Sequence, residues 1–183
     1  RLTLPGEPLE PAIESFATRT WRGRRQPLPA MTFPAELRGW AQEDDARFHW
    51  LPEMRSHLRE HWGHEGFRGC QLPVINALMS GKDVFAVMPT GAGKSLCYQL
   101  PALVKPGMAV VISPLLSLMQ DQVEGMIQRG VSAARLGSDT GQKATGKVFE
   151  DITLGKIKLL YVSPERIVGA SENRDRLTRA LQE

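Results

Sequence analysis

Apolar positions recur at helical spacing over about 68–80, and a strand-like run at 83–88 leads into a glycine-rich turn. A helix is predicted from Lys94, and Pro101 should bend or end it, because proline lacks the N–H that the helix needs. The run Met-Ala-Val-Val-Ile at 108–112 is apolar without alternation, as expected for a strand covered on both faces of a parallel sheet. From about 114 to 128, Leu115, Leu118, Met119, Val123, Met126 and Ile127 fall on one stripe, which predicts an amphipathic helix. A strand near 131–136 and a helix near 140–154 follow, then Ile-Lys-Leu-Leu-Tyr-Val at 157–162 repeats the buried strand type. Strands alternating with helices at this spacing predict an α/β fold, an open parallel sheet with right-handed crossovers and helices on both faces.

Upstream of this pattern, 35–66 reads as short helices carrying Trp40, Trp50 and Trp62. Residues 1–34 are proline-rich, with scattered charges and no sustained period, which reads as a linker or extended tail. The organisation expected is therefore a weakly structured extension over 1–50 and an ordered body over 51–183. Arg19, Arg22, Arg24 and Arg25 flank Trp21 and could grip a nucleic-acid backbone, though a solvated basic tail explains them as well.

Composition adds bounds. A chain of 183 residues and 20.3 kDa suits one ordinary domain. The net charge of +3 fits a polyanion partner without demanding one. Cys70 and Cys97 have no partner at zinc-ligand or redox-motif spacing, so a reducing compartment is expected. No apolar run approaches the ~20 residues of a membrane span, and Arg1–Glu10 lacks the layout of a secretion signal. The chain starts without methionine and ends at Glu183 in a helix-like stretch, so a piece of a longer protein is expected.

The chemistry concentrates in Met88-Pro89-Thr90-Gly91-Ala92-Gly93-Lys94-Ser95, set between a predicted strand and a predicted helix. Gly91 and Gly93 can take backbone angles closed to other residues, which lets successive amides curl around a phosphate. The helix starting near Lys94 adds its positive dipole end. Lys94 would reach the β and γ phosphates of ATP, and the Ser95 hydroxyl would ligate Mg²⁺, giving these two residues the catalytic roles. Met88 stands where the common phosphate-loop pattern has glycine, a departure that points to helicase-type loops and away from kinases and small GTPases. A glycine-rich turn without a ligand is the plain alternative.

Two further strands run into Ser113-Pro114 and Ser163-Pro164-Glu165, where serine can cap and proline suits a first helical turn. Both places would expose amides at the carboxyl ends of parallel strands, the edge where open α/β sheets bind ligands. Ser113, Ser117, Gln120 and the amides near Ser163 could hold nucleic-acid phosphates, with ordinary capping as the alternative.

Taken with Phe67-Arg68-Gly69-Cys70-Gln71, Leu96-Cys97-Tyr98-Gln99-Leu100-Pro101, Ser117-Leu118-Met119 and Leu159 to Arg166, these segments resemble the RecQ family of DNA helicases over about 58–170. Pro106-Gly107 and the 171–183 tail look most similar to the branch of the Bloom syndrome protein. The resemblance implies a RecA-like P-loop lobe, incomplete at its C-terminus, in an ATP-dependent motor moving 3′ to 5′ on single-stranded and forked DNA in repair and recombination. It implies a nuclear location, or bacterial cytoplasm if the source is not eukaryotic. Arg68 and Gln71 match the family's adenine-contacting motif, and His64 lies where some relatives place an aromatic near the base. Ser113, Pro114, Ser163 and Pro164 match segments that contact the DNA backbone. The family's Asp-Glu-x-His element has no counterpart, since the chain contains no Asp-Glu dipeptide. Weak ATP binding without efficient turnover or unwinding is therefore expected of this chain alone.

Two other readings compete. His57-Leu58-Arg59-Glu60-His61 fits the H-x-x-E-H spacing of inverted zinc peptidases, with a surface helix as its plain explanation. A nucleotide-dependent DNA-binding module without motor activity keeps the loop and discards the motor.

Overall fold

The computed structural model describes residues 38–168 and Asp175. Three helices come first, α1 (Leu51–Trp62), α2 (Gln71–Met79) and α3 (Leu96–Val104). Then follow β1 (Ala109–Ile112), α4 (Leu116–Gln128), β2 (Ala133–Leu136), α5 (Gln142–Thr153), β3 (Leu159–Val162) and α6 (Pro164–Val168). The strands form one parallel sheet in the order β1-β3-β2. Leu159 lies opposite Ala109 and Ala133, and Val162 opposite Ile112 and Leu136.

Alternate residues of β3 feed two cores, which is why its apolar run has no polar gaps. Leu159 and Tyr161 pack with Ala102 of α3 and with Met119, Val123 and Met126 of α4. Leu160 and Val162 pack with Phe149 and Ile152 of α5. Helices thus cover both faces of an open parallel sheet, the expected fold class. A third core joins the first three helices through Met54, Leu58, Ile75 and Leu100, and Met88 enters it.

The packed body reaches back beyond the boundary expected at residue 50. Phe48 is buried with Leu51 and Leu72, and Trp40 packs against them. The buried Asn76 amide donates to the Trp40 carbonyl at 2.9 Å and accepts the Trp50 indole N–H at 3.0 Å. Arg55 of α1 adds ion pairs to Asp45 at 2.8 Å and Glu43 at 3.0 Å. The cluster Arg19 to Arg25 lies outside the described residues.

Four expectations change. The run 83–88 is not a strand: among the described residues no strand pairs with it, and an extended segment becomes one only by exchanging backbone hydrogen bonds with a neighbour. Its Phe85 and Val87 are 94% and 83% exposed. The helix expected from Lys94 begins at Leu96, and Pro101 does not end it, since α3 continues to Val104 with Pro101 inside. Proline removes one helical bond there, while Leu100, Pro101 and Ala102 are all buried, so packing offsets that loss. On α4 the stripe is narrower than expected. Met119, Val123 and Met126 are buried, whereas Leu115, Leu118 and Ile127 are 59%, 44% and 57% exposed, beyond the reach of a three-stranded sheet. Finally, Ser113-Pro114 does not start a helix. The helix begins at Leu116 without a side-chain cap, and the Ser113 hydroxyl instead accepts the Leu115 N–H at 3.4 Å. At the second Ser-Pro, Pro164 does occupy the first helical position. Among the described residues no helix is long and apolar enough to cross a membrane.

Candidate functional site

The loop between Met88 and α3 is shaped by two glycines in the left-handed region, Gly91 at φ 80° and Gly93 at φ 79°, which side-chain-bearing residues avoid. A Cβ on Gly93 would land on Gln71 Nε2, so close approach as well as backbone angle selects glycine there. The Ala92 N–H closes a turn onto the Pro89 carbonyl at 3.2 Å, and the Leu96 N–H opens the helix on Gly93 at 3.1 Å. Among the described residues, the amides of Gly91, Gly93, Lys94 and Ser95 have no protein acceptor. Unpaired amides converging at a helix start attract anions through both hydrogen bonding and dipole.

Gln71 holds this loop from the side. Only 4% exposed, its Nε2 donates to the carbonyls of Ala92 and Gly93, each at 3.3 Å, while its Oε1 accepts the Arg68 N–H at 2.8 Å. The side chain expected to read a base edge therefore already spans from the start of α2 to the loop. Lys94 is exposed, with its ammonium donating to the carbonyls of Met88 at 3.0 Å and Pro89 at 3.1 Å. A phosphate would compete with those carbonyls for the cation. Met88 has its side chain in the core at 9% exposure, so only its backbone faces the loop, while Pro89 and Thr90 are exposed.

Beside the loop lies a cavity of about 470 Å³, lined by Arg68, Gln71, Gly91, Ala92, Gly93 and Ser95 among others. Small-molecule sites typically span ~300–1,000 Å³. His64 lines it too, as do Trp62, Gln99, Asp121, Gln122 and Arg129, which the sequence reading did not assign to a ligand. The adjoining interior is polar but sealed: Gln99 donates to Gln122 at 2.8 Å and to the Tyr161 hydroxyl at 3.1 Å. Burial pushes the Tyr161 phenol up, so it remains protonated at neutral pH. Burial also pushes the Cys97 thiol up to about 11, with Cys70 adding to the shift.

The residues expected to meet DNA lie at the carboxyl edge of the sheet. The Ser113 N–H donates to the Val162 carbonyl at 3.1 Å, which sets the two Ser-Pro segments side by side. Their surfaces differ. Pro114 and Ser117 are exposed, but Ser163 is 0% exposed, so its hydroxyl has no open path to a phosphate here. That buried hydroxyl has no hydrogen-bond partner among the described residues, and it is chiefly the Glu165 backbone amide that holds the Glu165 carboxyl below its usual range. Gln120 is engaged on both sides of its amide, donating to Glu124 and accepting Arg135 Nε at 2.5 Å. Arg135 also pairs with Asp139 at 2.7 Å, and Arg166 donates to the carbonyls of Gly137 at 3.0 Å and Thr140 at 2.8 Å. These two guanidinium groups at the same edge carry no spacing signal, because they come from separate strand ends. None of the expected DNA residues lines the 470 Å³ cavity.

His57, Glu60 and His61 come together on α1, with one ligand atom from each lying within 4.8 Å of the others. His61 also lines a smaller cavity of about 220 Å³ with Leu103, Gly130 and Lys158, which neither His57 nor Glu60 reaches.

Comparison with known proteins bears on the whole site. A model of the family described as DEAD/DEAH box helicase matches residues 68–182. The chain is 41% identical over 145 residues to the ATP-dependent DNA helicase Q1 of Rattus norvegicus, covering 78% of this chain and 23% of that protein. It is 42% identical over 134 residues to the ATP-dependent helicase SGS1 of Saccharomyces cerevisiae, covering 71% and 9%. Against the ATP-dependent DNA helicase RecQ of Haemophilus influenzae it is 45% identical over 117 residues, covering 64% and 19%. The matched segment thus spans less than a quarter of each of these relatives.

Proposed function

The chain belongs to the DEAD/DEAH box helicase family, with relatives of RecQ type, and from that premise we propose that it carries the ATP-binding face of a DNA-translocating motor. The observation that carries this reading is a loop with four unpaired amides and two left-handed glycines that, with the Gln71 clamp, walls one cavity through Gly91, Ala92, Gly93 and Ser95.

In this reading the amides of Gly91, Gly93, Lys94 and Ser95 bind the phosphates, and Lys94 exchanges the Met88 and Pro89 carbonyls for β and γ phosphate oxygens. Charge-assisted bonds to phosphate are stronger than bonds to neutral carbonyls, which favours that exchange. The residues present fit Mg²⁺: bound with the nucleotide it neutralises phosphate charge, and the half-buried Ser95 hydroxyl in the cavity wall would hold it. Arg68, His64 and Gln71 line the part of the cavity assigned to the base. Because Gln71 also grips the loop, base occupancy and loop geometry are coupled through one side chain.

At the sheet edge, Pro114, Ser117 and the surrounding amides are assigned to the backbone of single-stranded or forked DNA. Ser163 and Gln120 take part only after giving up their present surroundings. Movement 3′ to 5′, a role in repair and recombination, kinship with the Bloom-syndrome-protein branch and a nuclear location extend the RecQ resemblance. The 183 residues include no Asp-Glu pair, so this chain is assigned nucleotide and DNA-backbone binding rather than turnover by itself.

The test is ATP turnover with and without single-stranded DNA, on this chain and on any longer form of the protein that contains it, each with and without Lys94→Ala. DNA-stimulated turnover in the longer form, abolished by the substitution, is expected. Turnover indifferent to Lys94 would refute the motor reading.

A further inference from the structure

The H-x-x-E-H segment of α1 takes no part in the nucleotide reading, yet its side chains are arranged in a way that hydrogen bonding alone does not explain. His61 Nδ1 lies 2.8 Å from the Arg129 carbonyl, and since a carbonyl only accepts, this nitrogen carries the proton. The lone pair of the neutral ring is therefore on Nε2, which lies 3.8 Å from Glu60 Oε2. On the neighbouring ring, His57 Nδ1 is buried without a hydrogen-bond partner and lies 3.9 Å from that same Glu60 oxygen. His57 Nε2 faces Glu53 Oε1 at 3.8 Å.

These separations are too long for hydrogen bonds. The two Glu60 separations lie near the ~3.3–3.6 Å edges of a tetrahedron whose corners are ~2.0–2.2 Å from a central zinc ion, and all three ligand atoms lie within 4.8 Å of one another. The outer partners also match those of metal-bound histidines, whose remote nitrogen typically faces a backbone carbonyl or a carboxylate. Here the Arg129 carbonyl serves His61 and Glu53 serves His57. The rings are stacked at 5.4 Å with planes 21° apart, so ligation requires a modest rotation of one ring to aim both lone pairs at a shared point.

We propose that His57 Nδ1, Glu60 Oε2 and His61 Nε2 form a site for a zinc-class divalent ion, with water as fourth ligand. Imidazole and carboxylate donors suit zinc and its cobalt surrogate over magnesium or calcium. An ion held there fixes α1, and through the Arg129 carbonyl it ties that helix to the turn after α4, whose Arg129 lines the cavity beside the 88–95 loop. The site is independent of the nucleotide reading, since it uses none of the loop residues.

The test is titration of the full chain, stripped with chelator and free of nucleotide, with Zn²⁺ and separately with Co²⁺. One ion per chain is expected, with a cobalt visible band of low-coordinate intensity and a raised melting temperature. His57→Gln, His61→Gln and Glu60→Gln should each weaken binding by more than the ~10–100-fold that loss of an outer partner costs. Far-UV circular dichroism checks folding, and Glu60, with its side chain 64% exposed, supplies the variant least able to disturb it. The absence of saturable Zn²⁺ binding overturns the proposal, as does binding that survives in the His57→Gln/His61→Gln double variant. A histidine pair held only by protonation next to Glu53 and Glu60 would give that first result.

Discussion

The runs 83–88 and 157–162 are both short and largely apolar, and each leads into a segment assigned to a ligand, yet they are held in opposite ways. In the second, Leu159, Leu160, Tyr161 and Val162 are at most 1% exposed, with a parallel strand on each side and helices over both faces. In the first, only Met88 is buried, while Phe85 and Val87 face solvent. The 88–95 loop is consequently not positioned by a strand. It is held from the helix side, through Gln71 reaching from α2, Met88 in the helical core and the first turn of α3. Position in the sequence nominates a strand, and neighbours make it one.

The strongest challenge to this contrast is paired truncation. Leu160→Ala should cost ~2–5 kcal/mol in urea denaturation, because a fully buried side chain leaves a cavity. Phe85→Ala should stay within about 0.5 kcal/mol of wild type. Equal costs would mean that 83–88 is packed as well as β3. A smaller effect probes the clamp. Gly93→Ala should destabilise by ~1–3 kcal/mol through its left-handed backbone, and its added Cβ should displace Gln71. Adding Gln71→Ala should relieve the clash and leave the backbone penalty, a difference that melting of the two variants resolves.

Thiol labelling sharpens the contrast between exposed and buried parts of the helical core. With its value near 11, Cys97 presents only about one thiolate in a thousand at pH 8 and is buried as well. Alkylation at that pH should modify the half-exposed Cys70 and reach Cys97 only on unfolding. The smallest effect lies at the sheet edge. Hydrogen bonding from Arg135 lowers the Asp139 carboxyl, so its contribution is fully present above the ordinary carboxylate value of ~3.9 and fades as pH falls through the lowered one. The melting difference between wild type and Asp139→Asn should therefore shrink as the solution is acidified from pH 6 toward pH 3.

Much of this molecule is legible from its residues, and the gaps have physical causes. Strands buried on both faces have no polar gaps, so 108–112 and 157–162 announce themselves. Gly91 and Gly93 are legible as left-handed positions because their backbone angles exclude other residues. The stripe on α4 misleads, since helical periodicity shows which residues share a face but not how wide a sheet lies beneath it. Asp121 and Gln122 escape notice for the complementary reason. They lie on the polar side of α4, which in sequence looks like any solvent-facing surface and in the fold becomes a cavity wall. Gln71 stands out in the sequence through its motif, whereas its grip on the loop depends on the approach of α2 to Ala92 and Gly93. Ser163 shows the reverse, a motif match whose side chain is sealed by the sheet.

The loop from Met88 to Ser95 is proposed as a nucleotide phosphate site acting through Lys94 and free backbone amides. Equilibrium titration of the chain with a fluorescent ATP analogue, in parallel with Lys94→Ala, tests it most directly. One binding site per chain is expected, weakened at least about tenfold in the variant by loss of a charge-assisted contact, with the melting temperature of the unliganded protein unchanged. Equal binding by both proteins, or no saturable binding by the wild type, would contradict it.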